Sequence, residues 1–152
     1  MEAKEQSRPR PKSFTYKTHV SWSEGNAAAL GSEGKPTLRV TSPPEFRGEL
    51  GNWTPEELFV ASVETCHLVT FLAFARKQRL QLVSYESHAN GVLELVDGHY
   101  RFTRIVLFPT IVLEPSSNEE VVYAMLNDAH QHCLIANSIS SIVEVNPTIV
   151  LR

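Results

Sequence analysis

The sequence predicts an α+β fold, and three patterns carry that reading. From Phe14 to Trp22 the residues alternate, with Phe14, Tyr16, Thr18, Val20 and Trp22 on one face, which is a strand signature. At Thr54 an N-capping signature opens an apolar run of helical length. Between about Gln81 and Leu113 two long arms flank Asp97-Gly98, a two-residue hairpin signal. Antiparallel strand pairs with helices set apart from them define α+β. A doubly wound parallel sheet would place a helix after every strand.

The elements follow in order. Glu24-Gly25-Asn26 turns the chain after the first strand, Ala27 to Leu30 returns it, and Gly31 to Gly34 turns it again before a third strand, Thr37 to Thr41. Ser42 to Trp53, with Pro43-Pro44, Gly48 and Gly51, reads as an irregular loop. Thr54 at the N-cap, Pro55 at the first helical position and Glu57 at the third complete a capping box. From Leu58 to Phe74 the apolar residues cover nearly the whole circumference, so a central helix buried all round is expected. Arg76, Lys77 and Arg79 suit the negative end of its dipole. Within the first hairpin arm Asn90-Gly91 is a competing turn signal, and a bulge or break is expected there. After Pro115, Ser117 and Glu120 form another capping box, and Val122, Met125, Leu126, Ala129 and Cys133 recur on one face of a second helix. Asn137 to Ser141 reads as a short helical turn. Ile142 to Leu151 reads as a last strand in which Pro147 marks an edge or a bulge.

Composition narrows the class. A chain of 152 residues, 42% hydrophobic, can bury a core of its own and fits one domain, expected over 13–152. With 14 Lys and Arg against 17 Asp and Glu, the net charge of -3 gives no general reason to bind nucleic acid or an anionic membrane. Residues 1–12 are charged, carry two prolines and are expected to form a disordered tail. They lack the apolar core of a signal peptide, and no run reads as long enough to cross a bilayer, so a cytoplasmic protein is expected.

Only two cysteines are present, Cys66 and Cys133. Without an export signal a structural disulfide is not expected, so reactivity is the sharper reading. Neither belongs to a C-x-x-C pair, which excludes a thioredoxin motif and a zinc ribbon. His67, His130 and His132 invite a metal reading. Helical neighbours such as Cys66 and His67 point about 100° apart, however, and the spacing fits no standard site, so no metal is expected. Buried cysteines are commonly inert, and spacing alone does not bring the two sulfurs together.

The run from Trp53 to His67, with a Pro-Glu-x-Leu start and a cysteine ten residues past Glu56, resembles the first-helix signature of the OsmC/Ohr family. Ala129-His130-Gln131-His132-Cys133 followed by Asn137-Ser138 is similar to its second-cysteine motif. The likeness extends from about Phe14 to Leu151 through the order and lengths of the elements. It implies a homodimer in which long antiparallel sheets enclose the central helices. It also implies a thiol peroxidase in oxidative-stress defence, in which Cys66 attacks an organic hydroperoxide and Cys133 resolves the sulfenic acid. No bound cofactor is implied, and an external dithiol must reduce the disulfide.

In the family a glutamate and an arginine favour the thiolate. Glu56 matches the glutamate. At about 1.5 Å per residue it would lie roughly 15 Å along the helix from Cys66, so it would act across the dimer interface. It is also favourable simply as a negative charge at a helix N-terminus. The arginine departs from the pattern. The first turn, Glu24-Gly25-Asn26, has no cation, and just before the first helix the chain reads Glu45-Phe46-Arg47. Arg47 is the first candidate and Arg39 the second. The alternative reading is a non-catalytic OsmC-like stress protein that binds a small apolar ligand or senses redox state.

Overall fold

The computed structural model describes residues 13–152, so the expected tail over 1–12 lies outside the described residues. The chain divides into two compact units, the first ending at Thr54 and the second running from Pro55 to Arg152.

The first unit is a three-stranded antiparallel sheet, β1 (His19–Glu24), β2 (Ala27–Gly31) and β3 (Leu38–Thr41), in that spatial order. Gly25, at a φ of 49°, makes the first turn, and Trp22 Nε1 donates to its carbonyl oxygen at 3.0 Å. The first strand is shorter than its alternation suggests. His19 pairs with Gly31, the end of β2, so among the described residues 13–18 have no ladder partner in this sheet. Phe14 and Tyr16 precede the strand and are 71% and 88% exposed. After β3 the chain makes a 3-10 turn, Pro44–Phe46, and Arg47 closes it in the left-handed region at a φ of 65°.

Gly48 follows where no side chain fits, because a Cβ there would lie 1.4 Å from the Ser42 carbonyl oxygen. Gly48→Ala must therefore move backbone. It is expected to cost roughly 1–3 kcal/mol, read as a fall of several degrees in the thermal midpoint. An unchanged midpoint would contradict this packing.

The second unit holds α1 (Pro55–Lys77), β4 (Leu82–Val96), β5 (His99–Leu113), α2 (Glu119–Gln131), a 3-10 turn at Ala136–Ser138, β6 (Ile142–Val145) and β7 (Thr148–Leu151). β4 and β5 are the antiparallel hairpin, joined by Asp97 and Gly98 at φ angles of 51° and 81°. Asn90-Gly91 does not break β4; the nearby register shift falls between Val92 and Leu93. Gly91 serves packing instead. A Cβ there would stand 2.4 Å from Val60 Cγ2, so its absence lets α1 lie close on the sheet.

The sheet is mixed, which corrects the expectation of antiparallel sheets: β6 and β7 both run parallel to β5. The chain leaves β5, passes through α2 and returns, and a crossover of that length permits parallel pairing. The expected last strand is two strands. Pro147 has no N–H to give, and Asn146 N–H closes β6 on the Leu107 carbonyl at 2.8 Å.

The core lies between this sheet and the helices. Val63, His67, Phe71 and Ala75 form the buried stripe of α1 at four-residue spacing. Phe71 and Ala75 meet Ile111 and Leu113 of β5 and Val122, Met125, Leu126 and Ala129 of α2. Val63 meets Ile105 and Leu107. The expectation of a helix buried all round is not met within one chain, since Val69 is 60% exposed. By length and composition the 23 residues of α1 could cross a bilayer, which corrects the reading that no run is long enough. The packed stripe, with His67 and Glu64 in mid-helix, marks α1 as a core helix. The cap of α2 also moves by one residue. Asn118, not Ser117, is the N-cap, and its side chain accepts the Glu120 N–H at 2.9 Å.

Candidate active site

Cys66 stands in the middle of α1 beside the buried stripe and is partly buried, whereas Cys133 lies just past the C-cap residue His132 of α2 and is fully buried. Both thiols are free. The turn after α2 joins them. Ala136 N–H donates to Cys133 Sγ at 3.5 Å, and the Ile135 amide, the Cys133 thiol and the Leu134 amide stand near enough to Cys66 Sγ to favour its anion.

These contacts set the two sulfurs apart chemically. Burial pushes the Cys66 thiol up, but the amide and thiol donors outweigh it and hold Cys66 below the ordinary cysteine value. Thr70 Oγ1 is also near this sulfur, though its proton goes to the Cys66 carbonyl oxygen at 2.8 Å. Cys133 shifts upward: burial raises it, the Ala136 N–H opposes, and the neighbouring Cys66 raises it further. Cys66 therefore ionises first, and Cys133 keeps its proton beside it. A nucleophilic sulfur and a second thiol in contact are the parts of a two-cysteine redox centre.

The other expected residues fall elsewhere. Glu56 is in the first turn of α1, and its Oε2 is buried with no hydrogen-bond partner among the described residues. Arg39, on β3, is engaged within the first unit: its Nη2 lies 3.0 and 3.1 Å from the Glu49 carboxylate oxygens and 3.4 Å from Glu24 Oε1. The Glu49 hydrogen bonds, and then Glu24, favour its charged form. Arg47 presents its side chain from the left-handed cap of the 3-10 turn, and among the described residues no ion pair involves its guanidinium.

A buried polar cluster was missed in the sequence. Tyr85 Oη lies 3.4 Å from His67 Nδ1, and burial together with the Glu64 charge pushes the Tyr85 phenol up to about 12. Glu64 Oε1 and His67 Nε2 are buried without well-formed hydrogen bonds among the described residues. The available signal was a lone carboxylate, Glu64, inside the apolar stretch of α1. Burial lowers the His67 pKa, the Leu126 carbonyl opposes this, and His130 lowers it further.

A folded-state value below the unfolded 6.5 gives a definite sign. Stability is full above about pH 6.5 and falls with pH below it, because the unfolded chain takes the proton first. Urea unfolding of the wild type is expected to show this slope between pH 7.5 and 5, and His67→Gln to flatten it. Equal slopes would remove His67 from the acid response.

Among the described residues no group of three or more His, Cys, Asp or Glu side chains is arranged to hold a metal ion. His132 Nδ1 is instead 2.8 Å from the Asp128 carbonyl oxygen. A groove of about 400 Å³, lined by neither cysteine, lies between the His130 side of α2 and the segment from Val143 to Pro147.

Comparison with known proteins agrees with this architecture. The family model described as OsmC-like protein matches residues 48–148. An OsmC-like protein of unknown function from Vibrio cholerae superposes with a TM-score of 0.83 at 27% identity, covering 89% of this chain and 99% of that one. An organic hydroperoxide resistance protein from Elizabethkingia anophelis superposes with a TM-score of 0.73 at 18% identity, covering 94% and 100%, a likeness of fold. The uncharacterized protein YmaD of Bacillus subtilis is 21% identical over 126 residues, 80% of this chain and 84% of its own length.

Proposed function

The chain belongs to the OsmC-like protein family, and from that premise we propose that it reduces organic hydroperoxides with its own two thiols, in defence against oxidative stress. The observation that carries the reading is the paired environment of the cysteines, which favours the Cys66 thiolate and keeps a protonated Cys133 against it.

The Cys66 thiolate attacks one peroxide oxygen, the O–O bond breaks, and the alkoxide leaves and takes up a proton, leaving Cys66 as sulfenic acid. Cys133 sulfur then attacks the sulfenic sulfur, water leaves, and a Cys66–Cys133 disulfide forms. An external dithiol reduces that disulfide by exchange and regenerates both thiols. No bound cofactor takes part. A reducing, cytoplasmic setting keeps the thiols ready.

Two further assignments belong to this reading. Arg39 is held by Glu49 and Glu24, so Arg47 is the better candidate for the cation that receives the peroxide, with Glu56 of a second copy orienting it. The incompletely covered surface of α1, including Val69, is the face on which two copies pair as a homodimer.

Intact mass under non-reducing conditions tests the reading. One equivalent of an organic hydroperoxide is expected to remove about 2 Da per chain, and Cys133→Ser to abolish that change. An unchanged mass with both thiols still titratable would reject it. A second reading, a redox sensor or apolar-ligand-binding protein without turnover, rests on the engagement of Arg39 and the lack of a cation in the Glu24-Gly25-Asn26 turn. Stoichiometric oxidation without steady-state consumption in excess dithiol would favour it.

A further inference from the structure

The groove between α2 and β6 lies wholly within the second unit, and two periodicities build its walls. Tyr123, Leu126, Asn127 and His130 recur at three- and four-residue spacing, so they share the flank of α2 beside its buried stripe. The segment from Val143 to Pro147 forms the opposite wall. Val143 and Val145 point inward, where they pack on the cluster of Val63, Ile105 and Leu107. Alternation along β6 turns Glu144 to the other face of the sheet, where its carboxylate meets Arg104 Nε at 3.7 Å. Glu144 therefore borders the groove without aiming its charge into it.

The walls combine an apolar floor with neutral polar groups. Leu126, Val143, Val145 and Pro147 supply the first, and the Tyr123 phenol, the Asn127 and Asn146 carboxamides and the His130 imidazole the second. His130 Nδ1 is buried with no hydrogen-bond partner among the described residues, so the ring is not committed to another protein group through that atom. Such buried, unpaired polar atoms are uncommon and call for a partner. The volume, about 400 Å³, is that of a small-molecule site, and a few polar groups on an apolar lining are its usual make-up.

We infer that this groove binds a small uncharged molecule with an apolar, ring-sized body and an amide or hydroxyl group, a function separate from the thiol chemistry. A charged ligand would give up water with no opposite charge to receive it. Asn127 and Asn146 stand on facing walls and each offers donors and an acceptor, which suits an amide. Neither cysteine lines the groove, so the inference stands or falls apart from the redox reading.

The test titrates benzamide into the full-length, isotopically labelled protein and follows backbone and carboxamide resonances by NMR. Saturable shifts confined to Asn127, His130, Asn146 and their neighbours are expected, with an affinity on the order of millimolar for so small a probe. Benzoate and benzylammonium, which keep the ring and add a charge of either sign, should bind at least about tenfold more weakly. Asn127→Trp, on the exposed side of α2, should fill the groove and abolish the shifts. Asn127→Leu keeps the bulk but removes the amide, and should weaken benzamide by roughly three- to tenfold. If the tryptophan variant does not fold, the leucine variant and the charged probes on the wild type decide. Absence of saturable shifts at these residues, equal binding of all three probes, or shifts that survive in the folded Asn127 variants would overturn the site.

Discussion

Cys66→Ser is expected to lower hydroperoxide consumption by at least about a hundredfold, because a serine hydroxyl is not ionised near neutral pH and cannot replace a thiolate nucleophile. Cys133→Ser should behave differently. Cys66 would still be oxidised once, but no neighbouring thiol would trap the sulfenic acid. Excess peroxide would then carry it to the sulfinic acid, adding about 32 Da to the chain. Steady-state consumption with a dithiol, run beside intact mass, reads both. The contrast follows from geometry. Cys66 has the donors that favour its anion, whereas Cys133 is fully buried and shifted the other way. Equal loss of the first oxidation in both variants would mean that the cysteines do not divide the labour in this manner.

Phe71→Ala is expected to destabilise the protein by about 3–5 kcal/mol in urea unfolding. Phe71 is the largest fully buried side chain of α1, its ring centroid is 5.5 Å from that of Tyr85, and it lies in the cluster that joins α1, β5 and α2. The void left by its truncation would be lined by Ile111, Leu113, Met125 and their neighbours, which cannot all close in without losing contacts elsewhere. A cost below about 1 kcal/mol would mean that α1 is not packed on this sheet through that face.

Local signals in the sequence located the elements well. Pro55 does open α1, Asp97-Gly98 does turn the hairpin, and Val122, Met125, Leu126 and Ala129 do form the buried stripe of α2. Each depends on neighbours within a turn or two, where periodicity and turn chemistry act. What local patterning could not give was pairing between distant segments. The parallel direction of β6 and β7 depends on how the crossover through α2 lands, and the shortened β1 depends on where β2 stops. Chemistry divided in the same way. Cys66 and Cys133 could be named from motifs, but their contact needed the fold. Tyr85 reaches His67 only because β4 packs against α1, which nothing near either residue announces.

The partial cover of α1 has a consequence for handling the protein in solution. A long apolar helix with one stripe packed and Val69 open to water gains stability from whatever second surface it meets. When that surface is another copy, stability follows mass action. The thermal midpoint should rise with protein concentration, and activity per chain should fall on dilution toward the dissociation constant. Activity lost at nanomolar protein would then reflect dissociated chains whose cysteines are still intact, and a concentration series would recover it without added reductant.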